Sequence, residues 1–185
     1  MRIVKEPEER KREILETAMR LFYEKGYEKT SITDIAKAIG IAQGLCYRYF
    51  PSKESLFDCA VDQYALQLAE AMLLEDADKR TLKEIIALMP LAVESEGSPY
   101  YGALHQAENK KFHDQLALKV CEKLLPQVRA LLQQAQERGE IHLADIDTAA
   151  AFCVYGQLGI LLDGEIPKTV KAERIRDFIT YALRL

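Results

Sequence analysis

The residues best equipped for chemistry in this chain are Gln43, Gly44, Leu45, Tyr47, Arg48 and Tyr49, within the run AQGLCYRYFPSK. At helical spacing Cys46 and Phe50, four apart, face one way, and these six are left largely on the outside. Two tyrosines, a leucine and an arginine are odd company for a merely solvated face. From Ile35 to Lys53 there is no Asp or Glu, while Lys37, Arg48 and Lys53 supply three positive charges. Such a face suits a polyanion. Arg48 can read guanine, Gln43 can read adenine, and Leu45 can pack on a thymine methyl. Gly44 allows close backbone approach. Thr30, Ser31, Tyr47, Tyr49 and Lys53 are better placed for phosphates, which fix register without reading sequence. Topology alone leaves another reading open, a small buried helix pair in an ordinary α-domain.

The nearest thing to a reactive cluster is His105, Glu108 and His113. The first two are three apart and can share a helical face, and His113 lies two turns on. A zinc site wants three or four such ligands with their outer partners satisfied. No nucleophile or base fits beside them, and no P-loop, dinucleotide glycine pattern or HExxH occurs. The chain is therefore expected to be no enzyme and to need neither metal nor cofactor. Tyr64, Leu68, Tyr100, Tyr101, His105, Phe112, Phe152 and Tyr155 form a mixture that lines small-molecule pockets between helices. The same mixture also occurs in plain cores.

These side chains need elements to hold them. Ile32, Ile35, Ala36 and Ile39 predict a helix over 32–39, with Thr30 and Ser31 as N-cap candidates, Asp34 at the positive end of the dipole and Gly40 as the stop. A second helix follows from Gln43 to Phe50, ended by Pro51. Neither can stand alone at this length. A first helix from about Glu8 to Lys25, with the stripe Ile14, Leu15, Ala18, Leu21 and Phe22, supplies the support. Arg10, Lys11 and Arg12 cluster near its start, diluted by Glu6, Glu8, Glu9 and Glu13. Tyr27, in the turn after Gly26, reads as core. An acid-free, aromatic-bearing helix after a glycine turn is what a helix-turn-helix reading unit needs.

The residue pattern Gly26-Tyr27, Thr30-Ser31, Ile35-Ala36, Ile39-Gly40-Ile41, Gly44-Leu45-Cys46-Tyr47-Arg48-Tyr49-Phe50 and Lys53 resembles the N-terminal DNA-binding domain of the tetracycline-repressor-like (TetR) family of bacterial regulators. The resemblance covers roughly residues 10 to 60. It departs at Ala42, where the family often has Ser, and at Gln43, where Lys is common. The first loses a capping hydroxyl or a phosphate contact, such a cap being ordinarily worth about 1 kcal/mol. The second trades a phosphate charge for a base-reading amide. The resemblance implies an all-α fold with an N-terminal three-helix helix-turn-helix domain (residues 1–53) and a C-terminal helical effector-binding and dimerisation domain (54–185). It also implies a ligand pocket among the middle helices and dimerisation through the last two long helices.

Charge distribution agrees with that division. The net charge is −4 over 185 residues. Residues 1–53 carry 11 Lys/Arg against 8 Asp/Glu, and residues 54–185 carry 14 against 21. A basic head on an acidic body lets DNA find one end and repels it from the other. Cys46, Cys59, Cys121 and Cys153 are scattered, with no CxxC pair, and read as small hydrophobes of a reducing compartment. The N-terminal residues lack a signal-peptide core, and the apolar stretch 149–162 is interrupted by Gln157 and too short for a bilayer. A cytoplasmic protein without a membrane partner is expected.

In the body, a long helix from Ser52 to about Leu74 carries Leu56, Phe57, Ala60, Val61, Tyr64, Ala65, Leu68 and Met72 and reads as a mechanical link from head to body. Further helices are expected over 81–94 with a bend at Pro90, over 101–136 with an interruption or kink at Pro126, over 147–163, and over 167–183. The 147–163 helix is apolar nearly all round, so burial on most faces is expected. With Val170, Ile175, Phe178, Ile179 and Leu183 it makes a self-complementary interface for a homodimer. A two-fold dimer would demand a near-palindromic operator in double-stranded DNA. The expected activity is a DNA-binding regulator, a repressor released by an unidentified small-molecule effector. Its rivals are a DNA-bound protein of the same fold that recruits a partner protein, and a small helical metal-dependent enzyme.

Overall fold

The computed structural model describes residues 6–74, 76–89 and 110–185, and among them every regular element is helical. The chain divides into two compact units, Met1–Tyr64 with Gly102–Leu116, and Ala65–Tyr101 with Ala117–Leu185.

The first unit is built on α1 (Pro7–Lys25). Pro7 opens it, where the missing N–H costs nothing, and Glu8 and Glu9 sit at the positive end of its dipole. All five residues of its predicted stripe are buried, with Met19 added. Phe22 is fully enclosed, a burial that contributes roughly 2–3 kcal/mol. Two short helices follow, α2 (Ile32–Ile39) and α3 (Gln43–Tyr49), then the long α4 (Lys53–Ala71). Ser52 caps α4, accepting from the Ser55 N–H at 3.0 Å. The helix after Gly44 ends one residue earlier than expected, because Phe50 takes an extended backbone as its C-cap.

The second unit contains a 3-10 turn (Ala77–Lys79), α5 (Leu82–Leu88), most of α6 (Lys110–Glu137), α7 (Ile146–Tyr155), α8 (Leu158–Leu161) and α9 (Lys168–Leu183). Its core joins Leu82 and Ile86 of α5, Leu132 and Ala135 of α6, Ala150 of α7, and Ala172, Ile175, Ile179 and Leu183 of α9. Arg138 fastens the start of α5 to the end of α6, donating to the carbonyls of Arg80 (3.0 Å) and Asp78 (2.6 Å). The Leu82 N–H donates to Glu140 Oε2 at 2.6 Å.

Three elements differ from the sequence expectation. The predicted 81–94 helix is α5, capped by a Thr81–Glu84 box and over at Leu88; Pro90 falls outside the described residues. Of the interruption or kink expected at Pro126, the interruption does not occur, since α6 runs through it from Lys110 to Glu137. The 147–163 helix is two helices. Gly156 and Gln157 intervene, and the Gln157 amide donates to the Cys153 carbonyl at 3.0 Å. A Cβ on Gly156 would lie 2.5 Å from the Phe152 carbonyl oxygen, so only glycine fits that turn. Buried Lys171 completes it, with Nζ donating to the Leu161 carbonyl at 2.8 Å. Burial on most faces is not reached within one subunit: Ala150 and Val154 are buried, but Phe152 is 72% exposed.

Candidate nucleic-acid interface

The turn between α2 and α3 is locally determined. Ser31 caps α2, accepting from the Asp34 N–H, while the Asp34 carboxylate accepts from the Ser31 N–H (2.9 Å) and hydroxyl (2.6 Å). These bonds hold the Asp34 carboxyl below its ordinary pKa, the hydroxyl first and the backbone N–H second. At the other end Gly40 takes the left-handed conformation (φ 76°), its N–H donating to Lys37, and the Ile41 N–H closes back on Ala36 at 3.0 Å. This double closure ends α2 in one geometry and aims α3. Cys46 and Phe50 seat α3 on the core at 0% and 2% exposure. Burial raises the Cys46 thiol pKa, so it stays protonated and inert.

With that seat fixed, Gln43, Gly44, Tyr47 and Arg48 stand in solvent, and Leu45 and Tyr49 are half-buried at its edges. A side chain at Gly44 would meet nothing within 4 Å. Ala42 is the N-cap of α3 and offers no capping bond. Four flanking residues behave differently from the exposed ones. Thr30 is 1% exposed, and its hydroxyl is directed to the carbonyls of Gly26 (2.8 Å) and Leu21 (3.1 Å). It points into the fold, away from any phosphate, because the α1–α2 turn has carbonyls to satisfy. The Ser31 hydroxyl is exposed but engaged in its cap. Lys53 Nζ lies 4.1 Å from the centroid of the Tyr27 ring and 3.5 Å from the Glu28 carbonyl. Tyr27 itself is half-buried and packs on Phe22 (5.6 Å) and Phe57 (4.6 Å). On α1, Arg10 and Arg12 face Glu13 and Glu16 of the same helix at 2.5 and 3.9 Å.

The described residues grouped as a ligand pocket are divided between the two units, Tyr64 and Phe112 in the first and Leu68, Phe152 and Tyr155 in the second. Tyr101 and His105 lie outside the described residues, as do Tyr100, Glu108 and the side chain of His113. Phe112 is buried in the first unit, edge-on to Phe57. Tyr64 is buried near the end of that unit's share of α4, and Leu68 is half-buried one turn further on. Tyr155 is half-buried, its phenol pKa raised by burial first and then by Cys121 and Glu122. Phe152 instead lines an open apolar groove of about 300 Å³ between α7, α8 and α9, with Ala149, Gly156, Ile160, Phe178 and Ala182. Phe178 (64%) and Tyr181 (81%) extend this exposed face. Sequence reading missed Tyr181; its signal was the three-residue spacing from Phe178. Among the described residues no three of His, Cys, Asp and Glu are grouped to hold a metal, and no helix is long and apolar enough to cross a membrane. All four thiols are unpaired; Cys121 is pushed up to about 11 by burial, and Cys59, read as a hydrophobe, is exposed.

Residues 14–60 match the family described as bacterial regulatory proteins, tetR family. Residues 14–60 thus carry the DNA-binding head of a TetR-family regulator. The matched span takes in α2 and α3 whole, with Ile14 onward of α1 and α4 as far as Ala60. Of TetR-type relatives, the HTH-type transcriptional regulator YuxN of Bacillus subtilis (strain 168) is 46% identical over 56 residues, 30% of this chain and 19% of that protein. The HTH-type regulator YerO of the same organism is 28% identical over 194 residues, 92% of this chain and 62% of that protein. The chain thus spans less than two thirds of the length of either. The structure of Salmonella enterica GusR superposes with a TM-score of 0.68 at 25% identity, covering 98% of this chain and 99% of the other.

Proposed function

We propose that the chain is a homodimeric, sequence-reading transcription regulator that acts as a repressor and is released from a near-palindromic operator by a small-molecule effector. The observation that carries the reading is the outer face of α3. Gln43, Gly44, Tyr47 and Arg48 stand free on a helix whose seat and entry turn are both fixed from inside. Arg48 and Gln43 have the donors and acceptors to read base edges, and Tyr47, Tyr49 and Lys53 lie beside them for phosphates.

The homodimer is supported by the α7–α9 face. Phe152 and Phe178 are large, exposed and line an apolar groove, and Tyr181, three residues on from Phe178, is 81% exposed. An apolar face of this kind marks an interaction site. A second copy suits it because Phe152 and Phe178 are both wall and projecting knob, as an isologous contact requires. Release follows from linkage: an effector frees the operator only to the extent that it binds the DNA-incompetent arrangement better.

The test is selection of bound sequences from a random double-stranded DNA pool at two salt concentrations. A palindromic consensus supports a dimeric sequence reader. Weak, salt-sensitive retention without a consensus would leave only polyanion binding and sink the proposal.

A further inference from the structure

Among the described residues Lys171 is the one buried charged side chain, at 8% exposure. It lies in the first turn of α9, which carries no acidic residue there. A cation at that end opposes the helix dipole, and burial adds a desolvation cost. The charge therefore does nothing for α9 itself. Its ammonium leaves α9 and donates to the carbonyl of Leu161, the last residue of α8, at 2.8 Å. There the sign is favourable, because the carbonyls at a helix C-terminus lack partners within the helix and form the negative end of its dipole. Helix α8 has four residues and no side-chain bond at its N-cap, and it follows the break at Gly156. A single turn has no stability of its own and must be held by its surroundings. Gln157 ties its beginning to α7 through the Cys153 carbonyl at 3.0 Å, and Lys171 ties its end to α9. All of these residues belong to the second unit.

We infer that Lys171 is a positioning residue for the homodimer face, holding α8, and with it Ile160, in the wall of the groove that a second copy covers. The inference rests on the homodimer reading proposed above. Ile160 is the chain neighbour of Leu161 and lines the groove with Phe152 and Phe178. A tether at Leu161 therefore sets where Ile160 stands. Lysine suits the task, since its apolar stem can run through buried ground while the ammonium ends on a carbonyl. The hydrogen bond it makes and the cost of burying its charge nearly cancel in the folding free energy. What the side chain adds is the placement of α8. An isologous contact uses the same wall twice, so a displaced α8 weakens the dimer once in each copy.

The experiment measures the dimer dissociation constant of the full chain by sedimentation velocity over a dilution series, for the wild type, Lys171→Met, Ile160→Ala and the double variant. Methionine keeps the apolar stem and removes the donor. With about a threefold loss per face, Lys171→Met should raise the dissociation constant about tenfold. The double variant should dissociate little more readily than Ile160→Ala alone, because both changes act on one wall. The same lysine change is then made in Phe178→Asp, which puts a carboxylate in the face and supplies the monomer for urea unfolding. Its midpoint should stay where it is. An unchanged dissociation constant, losses that add in the double variant, or a lowered monomer midpoint would each overturn the inference; the last would make Lys171 a general stabiliser of the fold. Lys171→Gln, whose shorter amide falls short of Leu161, should give the same rise and serves if Lys171→Met fails to fold. Failure of the underlying reading looks different, because the wild type itself would then sediment as a monomer at every concentration.

Discussion

Replacing Thr30 by valine separates two roles that sequence alone cannot. A phosphate contact made by this hydroxyl would be lost on substitution, weakening DNA binding and leaving stability untouched. The structure places the hydroxyl at 1% exposure, 2.8 Å from the Gly26 carbonyl and 3.1 Å from that of Leu21. Valine matches threonine in shape, so packing is nearly conserved and the change isolates the hydrogen bond. Leu21 keeps a helical neighbour as a donor, which limits the cost there, while the part-buried Gly26 carbonyl loses its partner. A buried acceptor left unsatisfied costs about 1–3 kcal/mol, and the remaining helical bond at Leu21 argues for the lower half, about 1–2 kcal/mol. For a chain of this size each 1 kcal/mol moves the melting temperature by about 2–4 °C, so Thr30→Val should melt roughly 2–8 °C lower. Thermal unfolding by circular dichroism at fixed protomer concentration is the assay, since the proposed dimer would make the midpoint concentration-dependent. Thr30→Ser should recover much of the loss because it keeps the donor. An unchanged melting temperature with a lowered salt slope for DNA would refute the reasoning and return Thr30 to the phosphate backbone.

Arg48→Ala removes an exposed side chain and should leave the melting temperature alone while costing about 1–3 kcal/mol in operator affinity and relaxing sequence preference; equal weakening on all sequences, read by competition binding, would show that Arg48 holds only phosphate. Phe178→Asp places a charge in the α7–α9 face. With each buried phenylalanine contributing roughly 1.5–3 kcal/mol and two-fold symmetry doubling the change, dimer dissociation should strengthen at least a hundredfold, visible by light scattering as a monomer at micromolar concentration. Asp34, Glu84 and Asp145 each accept hydrogen bonds at a helix N-terminus that hold their pKa below the ordinary carboxylate value. Depressed folded-state values mean that the stabilisation is present above the ordinary carboxylate range and disappears as pH falls through the lowered values. A triple Asn/Gln/Asn variant should therefore melt lower than wild type at pH 7 and converge with it in acid, and a gap that persists at low pH would count against the caps.

Local chemistry explains which parts of the fold were legible beforehand. Helix α2 was readable end to end because its signals are all within the helix or next to it, a Ser–Asp capping box at one end and a left-handed glycine at the other. The outward face of α3 was readable for the same reason, since Cys46 and Phe50 declare the inner side by their spacing. The break at Gly156 was not, because a run of apolar residues promises a continuous helix and says nothing of a carbonyl that a Cβ would strike.

What the sequence determined by itself, then, is the helical architecture and the acid-free reading helix, properties set by residue type and short-range periodicity. What only tertiary structure decided is how long-range partners spend each side chain. Thr30 turns inward because carbonyls from α1 and the following turn are waiting for it. Lys53 rests on a ring 26 residues earlier in the chain, and Phe112 joins the head's aromatic core although 55 residues separate it from Phe57. Phe152 stands in solvent on a helix that composition would have buried. Periodicity assigns a face to each residue of a helix, but whether that face meets core, groove or solvent depends on elements distant in the chain.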